Sequence, residues 1–224
     1  MHRALRLAGI AITLLTLVGC QTIPKHKLNH RLLAETELPA GDVIVLPVDI
    51  KVKEMSAGGR QDEVPAWSKQ ANNNCKHQLE SRAADKLAGL KARFLPELST
   101  DDQGRLEDHL ALSHVVTGNA LLFTGPLGGP AWLHKAKRFD YTIGSGLAFL
   151  ADQTGADKAL ILIGEDVHSS DGRKAAFVVD AAFGVAIALG NTIPTATPLD
   201  LRTGDVLWEK HCIRAGSNRS LYVK

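Results

Sequence analysis

Cysteine is scarce, with three residues in 224, at positions 20, 75 and 212. So few cannot build the disulfide framework of a small stapled domain, and the fold must rest on an apolar core. Neither HExxH nor CxxC occurs, and Cys75 and Cys212 lack histidines at zinc-finger spacing, which removes the familiar metal motifs. The nine histidines are scattered, and His109 and His114 stand five apart, off register for one helix face. No G-x-S-x-G frames a serine; Gly144-Ser145-Gly146 comes nearest, so Ser145 is the weak candidate for a hydrolase. No Gly-Lys-Ser/Thr follows the glycines at 125, 128 and 129, so a P-loop is excluded. His168-Ser169-Ser170-Asp171 holds the residue types of a catalytic triad, but side by side they cannot form a relay and read as a polar turn. Paired carboxylates such as Asp101-Asp102 and Glu107-Asp108 fit a solvated helix face. No cofactor or metal is implied by any of these segments.

Long apolar runs are missing too. The two longest, Leu7–Val18 and Ala175–Leu189, both fall short of the ~20 residues that span a bilayer. The first follows Arg3 and Arg6 and has the form of a secretory signal, a short basic region followed by a short apolar one. Cleavage before residue 20 removes both arginines and leaves 24 basic against 24 acidic residues. A neutral mature chain gives no electrostatic case for nucleic acid.

Leu17-Val18-Gly19-Cys20 resembles a bacterial lipobox, the recognition site of the lipoprotein signal peptidase. The resemblance implies cleavage after Gly19 and a diacylglyceryl group on the Cys20 thiol, usually with a further N-acyl chain. Two or more chains give a lasting anchor, where one binds only marginally. Gln21 stands where an aspartate would resemble the inner-membrane retention signal, so the resemblance implies sorting to the outer membrane, facing the periplasm. The chain then divides into a signal peptide (1–19), a lipidated tether (20–40), an α/β domain (41–213) and a tail (214–224).

Within the domain, Asp42–Ile50 reads as a buried strand interrupted at Pro47. Trp67, Ala71, Cys75, Leu79, Ala83, Leu87, Leu90 and Phe94 fall four or three apart, which predicts one long amphipathic helix closed by Pro96. Asn72-Asn73-Asn74 predicts a fray or bend inside it. A second helix is expected from Asp101 or Asp102 to about Phe123, then a Gly/Pro loop reaching Trp132. Ala148–Ala151 reads as a helix stopped at Gly155, and Ala156–Gly164 as a core strand. Ser169–Arg173 reads as a hairpin-type turn into a strand from Lys174 to Val179. Leu199–Trp208, turning at Gly204, carries a strong hairpin signal. The run Ala175–Leu189 reads as a buried strand passing into an apolar loop or helix, with a membrane-inserting hairpin or partner-binding patch as alternatives. Cys75 on a helix and Cys212 on a strand could form a buried disulfide; two unpaired or buried thiols are the other reading.

These elements together predict an α/β (α+β) domain, a single mixed sheet packed by amphipathic helices. Val43–Ile50, Leu79–Leu90, Thr154–Leu160 and Asp200–Trp208 carry a resemblance to the α/β domains of the curli-secretion lipoprotein, the lipoprotein activators of penicillin-binding proteins and the TolB N-terminal domain. Tyr141–Arg173 also resembles uncharacterised proteobacterial lipoproteins. The resemblance implies a non-enzymatic, envelope-facing binding or assembly module, with an oligomeric secretion or pore component as the alternative and an envelope hydrolase as the weaker one. Trp132, Ala182 and Val185 are the candidate contact residues for a protein partner.

Overall fold

Proline decides where the first long strand breaks. The computed structural model describes residues 21–22, 27–28, 41–86, 90–124, 135 and 139–215. Two short strands, β1 (Gln21–Thr22) and β2 (Lys27–Leu28), precede the domain. β3 (Gly41–Val45) ends just before Leu46-Pro47-Val48, and the chain resumes as β4 (Asp49–Met55). Pro47 has no N–H for a ladder, so one run of β-branched residues becomes two strands. The order continues with β5 (Gln61–Glu63), α1 (Pro65–Lys86), β6 (Leu90–Phe94), α2 (Thr100–Thr124) and α3 (Ala148–Thr154), which follows a 3-10 turn at Ser145–Leu147. β7 (Lys158–Ser169), α4 (Asp171–Ala182), β8 (Gly190–Asp200) and β9 (Trp208–Ala215) complete it.

β7 organises one mixed sheet, as the α/β reading requires. Its first residues pair in parallel with β3, and its second half pairs in parallel with β4. β6 extends the sheet parallel to β3, and β5 extends it antiparallel to β4. On the other side β8 runs antiparallel to β7 from Lys158↔Asp200 to His168↔Gly190, and β9 runs antiparallel to β8. β1 and β2 pair antiparallel with β9, so part of the segment expected to be a tether lies along the sheet edge.

Alternation along β7 assigns its two faces. Ala159, Ile161 and Ile163 join Ile44, Leu46 and Leu199 beneath Leu106 of α2 and Leu147, Leu150 and Ala151. On the opposite face Ile50 and Val52 of β4 are buried against Ala71, Trp67 and Cys75 of α1. Each fully buried leucine or isoleucine contributes roughly 1.5–3 kcal/mol, so the larger cluster under α2 dominates.

Four expectations are corrected. The long helix stops at Lys86, and Leu90–Phe94 is strand β6. Leu90-Lys91-Ala92-Arg93-Phe94 alternates apolar with charged, so it fits period two as well as an i, i+4 pair; pairing with β3 decides for the strand. The Asn72–Asn74 segment does not break α1. Asn72 Oδ1 accepts the Ile50 N–H at 2.8 Å, and Ser68 Oγ accepts the Val52 N–H at 2.9 Å, so the polar side chains tie the helix to β4. Third, the hairpin turn expected at Ser169–Arg173 is a helix start. Ser169 still belongs to β7, and Ser170 caps α4 by accepting the Arg173 N–H at 3.2 Å. Fourth, Ala175–Leu189 is not a buried strand, since α4 has no buried residue. β8 was hidden in the sequence by Pro194 and Pro198. Pro194 faces Gly164, where a Cβ would lie 2.9 Å from the Pro194 Cα, so a glycine admits the close approach.

Candidate functional site

A crevice opens where the parallel strands β3 and β6 end. Once Pro47 turns the chain out of the ladder and Pro96 does the same after β6, α1 and α2 stand apart over the strand ends. The cavity between them measures about 590 Å³. Val45, Leu46, Val48, Phe94, Leu95 and Leu98 give it an apolar floor, and Asn72, Asn73, Lys76, Glu97, Thr100 and Gln103 give it a polar rim. The Lys76 ammonium sits 5.3 Å from the centroid of the Phe94 ring, which holds a cation over an aromatic face at the rim. The carboxyl ends of parallel strands are where open α/β sheets leave room for ligands. Its described lining offers side-chain amides, the Thr100 hydroxyl, the Lys76 ammonium and the Glu97 carboxylate above an apolar floor.

Two buried acid–histidine pairs lie elsewhere, one on each face of the sheet. Under α1, Asp166 Oδ2 is 3.0 Å from His168 Nε2, and Asp166 Oδ1 accepts the Thr192 hydroxyl at 2.6 Å. The Trp67 ring meets His168 edge-on at 6.3 Å. Under α2, Thr195 Oγ1 is 2.9 Å from His211 Nδ1, and His211 Nε2 is 3.2 Å from Glu209 Oε2. Hydroxyl, imidazole and carboxylate thus stand in the order of a nucleophilic relay. Thr195 is only 5% exposed and Glu209 3%, and neither is among the residues that line the crevice. Burial pushes the Glu209 carboxyl up, while hydrogen bonds from His211 and Thr117 and the His211 charge oppose that shift. The relay geometry here belongs to a buried polar cluster in the core, in which Glu209 Oε1 has no hydrogen-bond partner among the described residues.

The residues singled out in the sequence do not converge. Leu17, Val18, Gly19, Cys20 and Trp132 lie outside the described residues. Ala182 ends α4 and Val185 follows it, both exposed. No disulfide joins Cys75 and Cys212. Cys75 is half-buried in the α1–β4 cluster, and burial raises its thiol pKa. Ser145 is exposed, and the His109 ring covers the neighbouring Gly146, where a Cβ would lie 1.7 Å from His109 Nε2. His109 Nδ1 contacts the Arg105 carbonyl, whereas His114 Nε2 is 2.9 Å from Asp49, so the two histidines serve different contacts. Among the described residues no three His, Cys, Asp or Glu side chains come together as a metal site, and no helix is long and apolar enough to cross a membrane. Asn72 and Lys76 at the crevice were missed. Their signal was a polar run inside an amphipathic helix where helix propensity is poor.

α4 is the other unusual surface. Val178 is 68% exposed, Val179 56%, Phe183 82% and Val185 52%. α2 also exposes Leu112, Val115 and Leu122. Arg173 pins the α4 excursion through hydrogen bonds to the Ala188 and Ala57 carbonyls, each at 3.1 Å.

No protein-family model matches the chain, and no curated protein does. Among solved structures it is similar to the LpoB C-terminal domain from Salmonella enterica, at 12% identity over 83% of this chain and 90% of that one, TM-score 0.29. Lipoprotein GNA1162 from Neisseria meningitidis matches at 14% identity over 81% and 85%, TM-score 0.30. A PelC dodecamer from Paraburkholderia phytofirmans matches at 13% identity over 80% and 74%, TM-score 0.30.

Proposed function

We propose that this chain is a lipid-anchored bacterial envelope lipoprotein whose α/β domain is a non-enzymatic module that binds a protein partner. The anchor part rests on Leu17-Val18-Gly19-Cys20 and the signal-like segment before it. The binding part rests on the crevice at the ends of β3 and β6. Its apolar floor suits side chains of an inserted polypeptide, and the amides of Asn72, Asn73 and Gln103 suit that polypeptide's backbone. Lys76 and Glu97 on the rim supply charges that would fix register and orientation.

A photo-crosslinking residue at Asn73, which is exposed at the rim, tests this in intact cells. The expected result is a discrete protein adduct that disappears with Lys76→Glu while the melting temperature is unchanged. Adducts that survive Lys76→Glu, or no adduct at all, contradict the crevice as the contact. An adduct of twice the chain's own mass would favour the oligomeric secretion reading instead.

A further inference from the structure

We infer that α4 and the residues after it lie in the headgroup region of the membrane that holds the anchor, so that the domain sits on the bilayer by this end of its sheet. The inference rests on the lipid-anchor reading and adds the surface that meets the lipid.

Strand register places both features at one end. Gln21 pairs with Ile213 and Thr22 with Cys212, so the chain followed backward from Thr22 advances toward the Arg214 end of β9. Arg214 in turn pairs with Thr192, Asn191 with Ala215, and Gly190 with His168. α4 begins three residues after His168 and returns to the sheet at Gly190. From Asp166, which shares Arg214's level across β8, to Ser170 is four residues, about 13 Å along a strand.

Chain length then fixes the distance from the bilayer. Cys20 is covalently next to Gln21, about 3.8 Å between Cα atoms across a trans peptide. Were residues 21–40 a free tether, they could reach roughly 70 Å when extended and would hold the domain far from lipid. Pairing of Gln21-Thr22 with β9 removes that slack at its first residue. An acylated cysteine at headgroup level brings the Arg214 end of the sheet with it.

The surface at that end suits a lipid interface. Val178, Val179, Phe183 and Val185 are more than half exposed, and interfacial helices bury apolar side chains of this kind about 5–10 Å deep at the headgroup and acyl boundary. Arg214 is exposed at that end of β9, a basic side chain that suits anionic phospholipid.

The full lipidated chain, reconstituted in phosphatidylcholine–phosphatidylglycerol vesicles, tests this with a benzoylphenylalanine at Phe183 or, as the control, at Thr203 in the turn at the opposite end. Lipid adducts are read by mass spectrometry beside the anchor's own mass increment. The expected result is a several-fold higher adduct yield at 183 than at 203. Equal yields with the increment present overturn the inference and leave the anchor standing. A protein adduct at 183 in intact cells overturns it in favour of a protein occupant. Loss of the increment itself overturns both.

Discussion

At the scale of single residues, the buried polar groups set the chain's response to pH. Glu209 is enclosed by Thr117 and His211, and burial raises its pKa above the ordinary 4.5. A raised carboxyl pKa means the folded state holds the proton longer than the unfolded state. Its contribution is therefore fully present below the unfolded value and is lost as pH rises through the folded one. Glu209→Gln removes that dependence. Melting temperatures of wild type and variant, measured from pH 4.5 upward, should diverge with rising pH, the wild type losing stability relative to the glutamine form. Parallel curves would contradict the assignment. Asp102 and Asp171 titrate in the other sense, held low chiefly by hydrogen bonds from Gln153 and Lys174, but both belong to wild type and variant alike and cancel in the difference.

At the scale of elements, α4 is set by its cap. Ser170 supplies the hydroxyl that accepts the Arg173 N–H, and Asp171 adds an acid in the first turn. With no buried residue to hold it, the helix has little packing to fall back on. Ser170→Ala should cost about 1 kcal/mol and raise amide exchange across Lys174–Ala182 while leaving β7 protected. Exchange that spreads equally into β7 would show that the excursion and the sheet open together. The same region shows where the sequence was readable and where it was not. α2, α3 and the turn at Gly204 were legible because apolar periodicity, the acidic first turn of α2 and a turn glycine, whose φ is 72°, are local signals. β6 and β8 were not, because what makes them strands is the backbone they lie beside. Leu90–Phe94 satisfies helix and strand periods alike, and the prolines of β8 argue against any strand until Gly164 is seen opposite Pro194. The burial assigned to Ala175–Leu189 failed for a related reason. Apolar composition reports affinity for an apolar environment, and that environment can lie outside the domain. Of the crevice, the breaks at Pro47 and Pro96 were visible but not their meeting, since Asn72, Lys76 and Gln103 come to it from two helices far apart in sequence.

At the scale of the whole molecule, one mixed sheet carries two outward surfaces and two sealed polar clusters. The open crevice lies at the β3–β6 side, the polar clusters lie beneath the two long helices, and the exposed apolar helix projects from the end at which the N-terminal strand begins. The proposed anchored binding module would need that division, with partner and bilayer meeting different edges. The proposed anchor and the membrane placement of α4 both depend on the thiol of Cys20. Intact mass and membrane fractionation of the wild-type chain beside Cys20→Ser test it most directly. The account predicts a lipid-sized increment on a chain that begins at residue 20 and stays with the envelope, both lost in the variant. A wild-type chain without the increment, recovered in the soluble periplasmic fraction, would contradict it.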